Sequence, residues 1–143
     1  MLNQASDEME AISFEDRQSV EVMSARLDLH AAAGHWDIVE SFARTILKQD
    51  SNHVQAWVSL GCAVRRTTSV EAARDALLAA ECALKEEHAI IHYNLACYYC
   101  LLGDHETAKM RLGLACRKDS SFKAAALDDP DLKPMWDHMA KET

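Results

Sequence analysis

The sequence predicts an all-α protein, an α-α superhelix of repeated helical hairpins, and three observations carry that prediction. Only four Gly and two Pro occur in 143 residues, and 49% of the chain is apolar with only 6% aromatic, a balance that suits helices better than a turn-rich sheet. Apolar residues recur at steps of three and four, as amphipathic helices require. Shifting the chain by 35 residues lays the apolar skeleton of residues 57–80 on that of 92–115, large residue on large and small on small. The length is that of about one domain, enough to bury a core without disulfides or metal.

In chain order, residues 1–12 are charged and patternless and are expected to be disordered. Ser13 with Asp16 is expected to cap a long first helix reaching about Ala33. The first hairpin, about 20–53, places Met23, Leu27 and His30 before a turn at Gly34, then Val39, Ala43 and Ile46. In the second, 54–88, Asn52 and Gln55 resemble a capping box; Trp57, Leu60, Gly61 and Val64 form the first apolar face. Ser69, with Glu71 in the first turn, opens the helix that carries Ala73, Leu77 and Ala80. A turn around Glu86 to His88 absorbs one inserted residue.

The third hairpin, 89–122, repeats the pattern with His92, Leu95, Ala96 and Tyr99, then Ala108, Leu112 and Ala115. Between these helices Gly103 supplies the positive-φ residue that ends one, and Asp104 caps the next. The small residues Gly61, Ala73, Ala80, Ala96, Ala108 and Ala115 mark close helix approach. Residues 123–143 are expected to cover the exposed end of the array. With Phe122 just ahead, their apolar side is Leu127, Leu132, Met135, Trp136 and Met139, and two prolines restart the helix.

These residues resemble tetratricopeptide repeats, whose pattern is W-x2-L-G-x2-Y, then A-x3-F, then P, at about 34 residues. The second copy reads Trp57-x2-Leu60-Gly61-x2-Val64 and Ala73-x3-Leu77; the third reads His92-x2-Leu95-Ala96-x2-Tyr99 and Ala108-x3-Leu112. The stretch NLACYYCLLGDHETA is close to what the family carries, and ALDDPDLKPMW resembles the ending of many bacterial tetratricopeptide chains. The likeness covers about residues 20–122. It departs in the first copy, where Arg26 replaces Leu and His30 the aromatic residue, and at the closing prolines, replaced by Ser51, Lys85 and Ser120.

The resemblance implies that the first helix of each pair lines a concave groove. The lining would be Ser24, Asp28 and Ala31, then Val58, Ser59, Cys62 and Arg65, then Tyr93, Asn94, Cys97 and Cys100. Such grooves in chaperone-binding relatives grip a terminal carboxylate with Lys, Asn and Arg. Here Ser24, Asp28, Ser59 and Asn94 hold those places, and Asp28 would repel that ligand.

The charge of −8 is uneven, with Asp7, Glu8, Glu10, Glu15, Asp16 and Glu21 facing only Arg17 in the first 21 residues. No basic stripe follows, so neither nucleic acid nor an anionic membrane is an expected partner. With no basic segment leading into an apolar one, the expectation is a cytoplasmic protein, and five cysteines then read as reduced thiols. The charge-free run from Ala89 to Gly103 contains His92 and Asn94 and is too short to cross a bilayer.

Cys97 and Cys100 form a CxxC inside a helix, without the strand and free helix start of a redox motif, so packing is the expected role. No second ligand pair answers them for zinc, and His88 and His92 divide between a turn and a core position. Nucleophile, phosphate-loop and metalloprotease motifs are lacking, so no catalytic residue, cofactor or metal is expected.

The functional expectation is a non-enzymatic protein-interaction module holding a partner peptide in the groove. Val58, Cys62, Tyr93, Cys97 and Cys100 would give apolar contact, with Tyr93 the anchor, while Asn94 and Arg65 would hydrogen-bond the peptide. Two alternatives share these features: a chaperone like those of type III secretion, cradling a partner segment, and a self-associating homodimer.

Overall fold

A computed structural model describes residues 5–142, with side chains described from Ser19 onward. Its elements are α1 (Ala5–Ala32), α2 (Trp36–Gln49), α3 (Val54–Thr67), α4 (Val70–Ala83), α5 (Ala89–Leu101), α6 (His105–Lys118), α7 (Phe122–Asp128), a 3-10 turn (Pro130–Leu132) and α8 (Lys133–Glu142). No strand occurs among the described residues. Each helix from α1 to α6 packs on the next, α3 also touches α5, and the 3-10 turn and α8 close over α5. The architecture is all-α, a succession of hairpins consistent with a helical-repeat superhelix.

The hairpins form where the local chemistry stops and restarts helices. Gly34 and Gly103 take φ of 78° and 88°, a left-handed conformation open to residues without a Cβ. Past the second, Asp104 accepts from the Thr107 amide at 3.1 Å and its hydroxyl at 2.7 Å, satisfying a free helix-start donor. Ser69 does the same for the Ala72 amide at 3.0 Å. Five residues, 84–88, join α4 to α5, against four, 50–53, between α2 and α3, so the extra residue of the longer repeat sits in that turn.

Two expectations about helix starts are corrected. The second hairpin is capped by His53, whose Nδ1 accepts from the Ala56 amide at 3.0 Å. Asn52 instead accepts from the Lys85 amide at 2.9 Å, tying the entry of that hairpin to its exit. The first helix starts at Ala5, within the segment 1–12, so Ser13 and Asp16 lie inside it; residues 1–4 are outside the described residues.

The core is the stack of repeat positions. Ala73, Ala80, Ala96, Ala108 and Ala115 are fully buried. A Cβ on Gly61 would stand 3.1 Å from the Tyr98 hydroxyl and 3.4 Å from Leu77, a tight fit that marks a close helix approach. At the C-terminal end Leu132, Met135 and Ala126 are buried, and the Trp136 indole donates to the Ala126 carbonyl at 2.9 Å. Leu127, expected on the apolar side of the cap, is 70% exposed; α7 turns Ala126 inward instead. No described helix is long and apolar enough to cross a membrane.

Candidate binding groove

The groove predicted from the repeats has α1, α3 and α5 as its walls, and its two ends differ. At the α3–α5 end the chain lies on itself. Arg65 of α3 donates to both carboxylate oxygens of Asp131, at 2.7 and 2.9 Å. Tyr93 of α5 donates to Asp129 at 2.7 Å, and its ring stacks on Phe122 with centroids 4.7 Å apart. The Cys97 thiol points at the same Asp129 oxygen at 3.7 Å, while the other oxygen of Asp129 accepts from the Asp131 amide at 3.0 Å. The stretch Asp129-Pro130-Asp131, which enters the 3-10 turn, is thus seated on the wall by charge-assisted bonds.

This seat changes the roles expected of four lining residues. Tyr93, Cys97 and Cys100 are buried beneath the chain's own segment, and Arg65 is engaged by Asp131, so an incoming peptide finds them covered. Tyr93 anchors the chain's own tail. The physical reason is that the last hairpin leaves an apolar wall, which the nearest stretch of chain buries.

The thiols here are held in the neutral form. Burial pushes the Cys97 thiol up, with the carboxylates of Asp129 and Asp131 adding to the effect, and burial raises Cys100 as well. Burial and the bond to Asp129 keep the Tyr93 hydroxyl protonated. Ligand atoms of Cys97, Asp129 and Asp131 lie within 4.8 Å of one another, a spacing that suits a cation. Each carboxylate already accepts from a protein donor, Arg65 on one and Tyr93 on the other, so the cluster is the hydrogen-bonded seat of the tail.

At the α1–α3 end the groove is open. A shallow recess of about 10 Å³ lies between the helices, floored by Leu27, Ile46 and Ala56 and rimmed by Ser24, Asp28, His53, Gln55 and Ser59. His53 Nδ1 accepts the Ala56 amide, so the neutral ring carries its proton on Nε2 and donates to Ser24 Oγ at 3.4 Å. Asp28 is exposed, and its carboxylate has no partner among the described residues. Ser59 is only 7% exposed, and its hydroxyl also has none.

The remaining lining residues fall between these ends. Val58 is half-buried against the core, Cys62 is half-buried, and Asn94 is half-buried with no hydrogen-bond partner among the described residues.

Sequence reasoning missed a second polar feature, at the α4–α5 turn. His92, in the place of the repeat's Trp, is 4% exposed and bonded on both ring nitrogens, to Glu87 at 2.6 Å and to Arg111 at 3.0 Å. Arg111, a donor only, must be donating to Nδ1, so Nε2 carries the proton that Glu87 accepts. Arg111 also grips both oxygens of Glu81, and Lys118 stands 3.4 Å from Glu87. The bond from His92 holds the Glu87 carboxyl below its usual range. A cavity of about 250 Å³ opens beside this network. The signal was a histidine at a core position 19 residues before an arginine at the same height of the partner helix.

No protein-family model matches the chain, and no curated protein matches it.

Proposed function

We propose that the chain is a non-enzymatic, cytoplasmic protein-interaction module, a short tetratricopeptide array that holds an extended segment of a partner protein in the open α1–α3 part of its groove. One observation carries the reading: the same wall already holds a peptide, the chain's own Asp129-Pro130-Asp131, through side chains of α3 and α5. The sequence likeness to tetratricopeptide repeats supports it, as do thiols held protonated and buried, which makes them poor nucleophiles.

The test is affinity capture from cells with the wild-type chain and with Gln55→Trp, which fills the groove from an exposed position that lines the recess. A protein retained by the wild type and lost by the variant, with helicity by circular dichroism unchanged, is the expected result. Identical retention by both chains removes the groove from the proposal.

A second reading, self-association, has its own observation. Val22 and Leu29, seven residues apart on α1, are 53% and 72% exposed, an apolar strip on the terminal hairpin. Light scattering at two concentrations distinguishes a dimer held by this strip from a monomeric adaptor, and Leu29→Glu should abolish the dimer.

A further inference from the structure

The charged side chains at the α4–α5 turn include one atom that their hydrogen bonds leave out. Arg111 holds Glu81 through both terminal nitrogens and donates from one of them to His92 Nδ1. Its Nε is buried with no partner, the only such side-chain nitrogen or oxygen among the described residues. Buried donors are almost always satisfied, so this orphan calls for an explanation.

The groups that face His92 come from three elements. Glu81 belongs to α4, Glu87 to the turn, and Arg111 and Lys118 to α6, while Lys85, Glu86 and His88 line the adjoining cavity of about 250 Å³. The neutral ring, 4% exposed, uses both nitrogens, accepting from Arg111 at Nδ1 and donating to Glu87 from Nε2. Glu81 Oε2 stands 3.8 Å from the same Nδ1, beyond hydrogen-bond distance. A second carboxylate therefore lies beside the ring without a bond from it. A proton added to the ring makes Nδ1 a donor, and a guanidinium, itself a donor only, can no longer face it. A charged ring in so buried a place also needs a carboxylate in contact.

We propose that His92 and Arg111 form a proton-operated latch between α5 and α6. On acidification Nδ1 takes one proton from solvent and donates it to Glu81 Oε2 as a hydrogen bond, while Arg111 slides along Glu81 to hold it through Nη2 and Nε. The orphaned donor thereby gains its partner. Glu87 keeps its bond from Nε2 in both states, so the guanidinium moves and the ring stays. Glu81 lines the cavity, which leaves its carboxylate room to tilt toward the ring. The exchange replaces an α5–α6 tie by an α4–α5 tie. Acid thus loosens the third hairpin internally and tightens its junction with the second, whatever the groove holds.

The test is nuclear magnetic resonance on the 15N-labelled full chain from about pH 8 to about pH 5, the range over which imidazoles change charge. The His92 ring should pass from a single proton on Nε2 to two ring protons, and the Arg111 Nε–H resonance should shift with the same midpoint. In His92→Gln, whose amide takes up no proton, the Arg111 resonance should stay in place. Glu81→Gln removes the charge that receives the cationic ring and should lower the His92 midpoint by about one pH unit, a roughly tenfold weaker hold on the proton. A ring that stays singly protonated throughout overturns the inference, as does a ring that gains its proton with Arg111 unmoved. An Arg111 shift that persists in His92→Gln, or a His92 midpoint unchanged in Glu81→Gln, does the same. Unfolding before the ring titrates, read by circular dichroism at each pH, overturns it too.

Discussion

The two ends of the groove are built from equivalent faces of successive hairpins, yet one is sealed and the other open. At the α3–α5 end Arg65, Tyr93 and Cys97 all bond to acids of the tail; at the α1–α3 end Ser59 and Asp28 have no side-chain partner among the described residues. The difference teaches that a short array cannot offer its whole inner wall. The last hairpin must bury its apolar face, and here the covering segment takes part of the inner wall with it, leaving the end away from the cap open.

The sharpest way to break this comparison is to remove the sealed end's buried anchor. Leu132 is fully buried, so Leu132→Ala should lower unfolding stability by about 2–5 kcal/mol in urea titration. A loss under about 1 kcal/mol would mean that the tail rests on the wall without belonging to the core. Arg65→Met is the next test, separating charge from burial. It leaves Asp131, itself partly exposed, without its fork of donors, and should reduce stability by about 1–2 kcal/mol. Emission from Trp136, which packs in the same cap, would shift to the red if the tail loosens.

A third test is alkaline pH. The folded chain holds the Cys97 thiol and Tyr93 hydroxyl with raised pKa, so the unfolded chain releases those protons first. Their contribution is complete below the ordinary thiol value of about 8.5 and fades as pH rises beyond it. Stability should fall between neutral and strongly alkaline solution, and Cys97→Ala should flatten part of that fall. Alkylation near neutrality should mark exposed Cys82 well before buried Cys97; equal rates would contradict a sealed seat. The smallest effect belongs to the open end. Asp28→Asn should change stability by no more than about 0.5 kcal/mol, and a larger loss would show that Asp28 serves the fold and not a ligand.

Much of the fold was legible because its signals are local. Gly103, Asp104 and Ser69 act within a few residues of themselves, and the small residues at repeat positions are read from spacing alone. The cap of the second hairpin was misplaced by one residue because His53 is an uncommon cap and Asn52 had a distant partner, Lys85, that no short window contains. The groove lining was legible as a face of the helices but not as a vacant surface. Tyr93 lies 36 residues from Asp129 and Arg65 lies 66 from Asp131, so only the folded chain reveals that these positions are taken. His92 was read correctly as a packed residue, but its carboxylate and guanidinium partners come from three other stretches of chain.

The tail also has a mechanical consequence. Asp131 fastens on α3 and Asp129 on α5, so a short strut bridges two neighbouring coils of the array and fixes the pitch between them. Hairpin arrays flex like springs because each coil touches only its neighbours. In this chain the tail clamps the last two coils to each other, and among the described residues no such strut joins the first hairpin to the second.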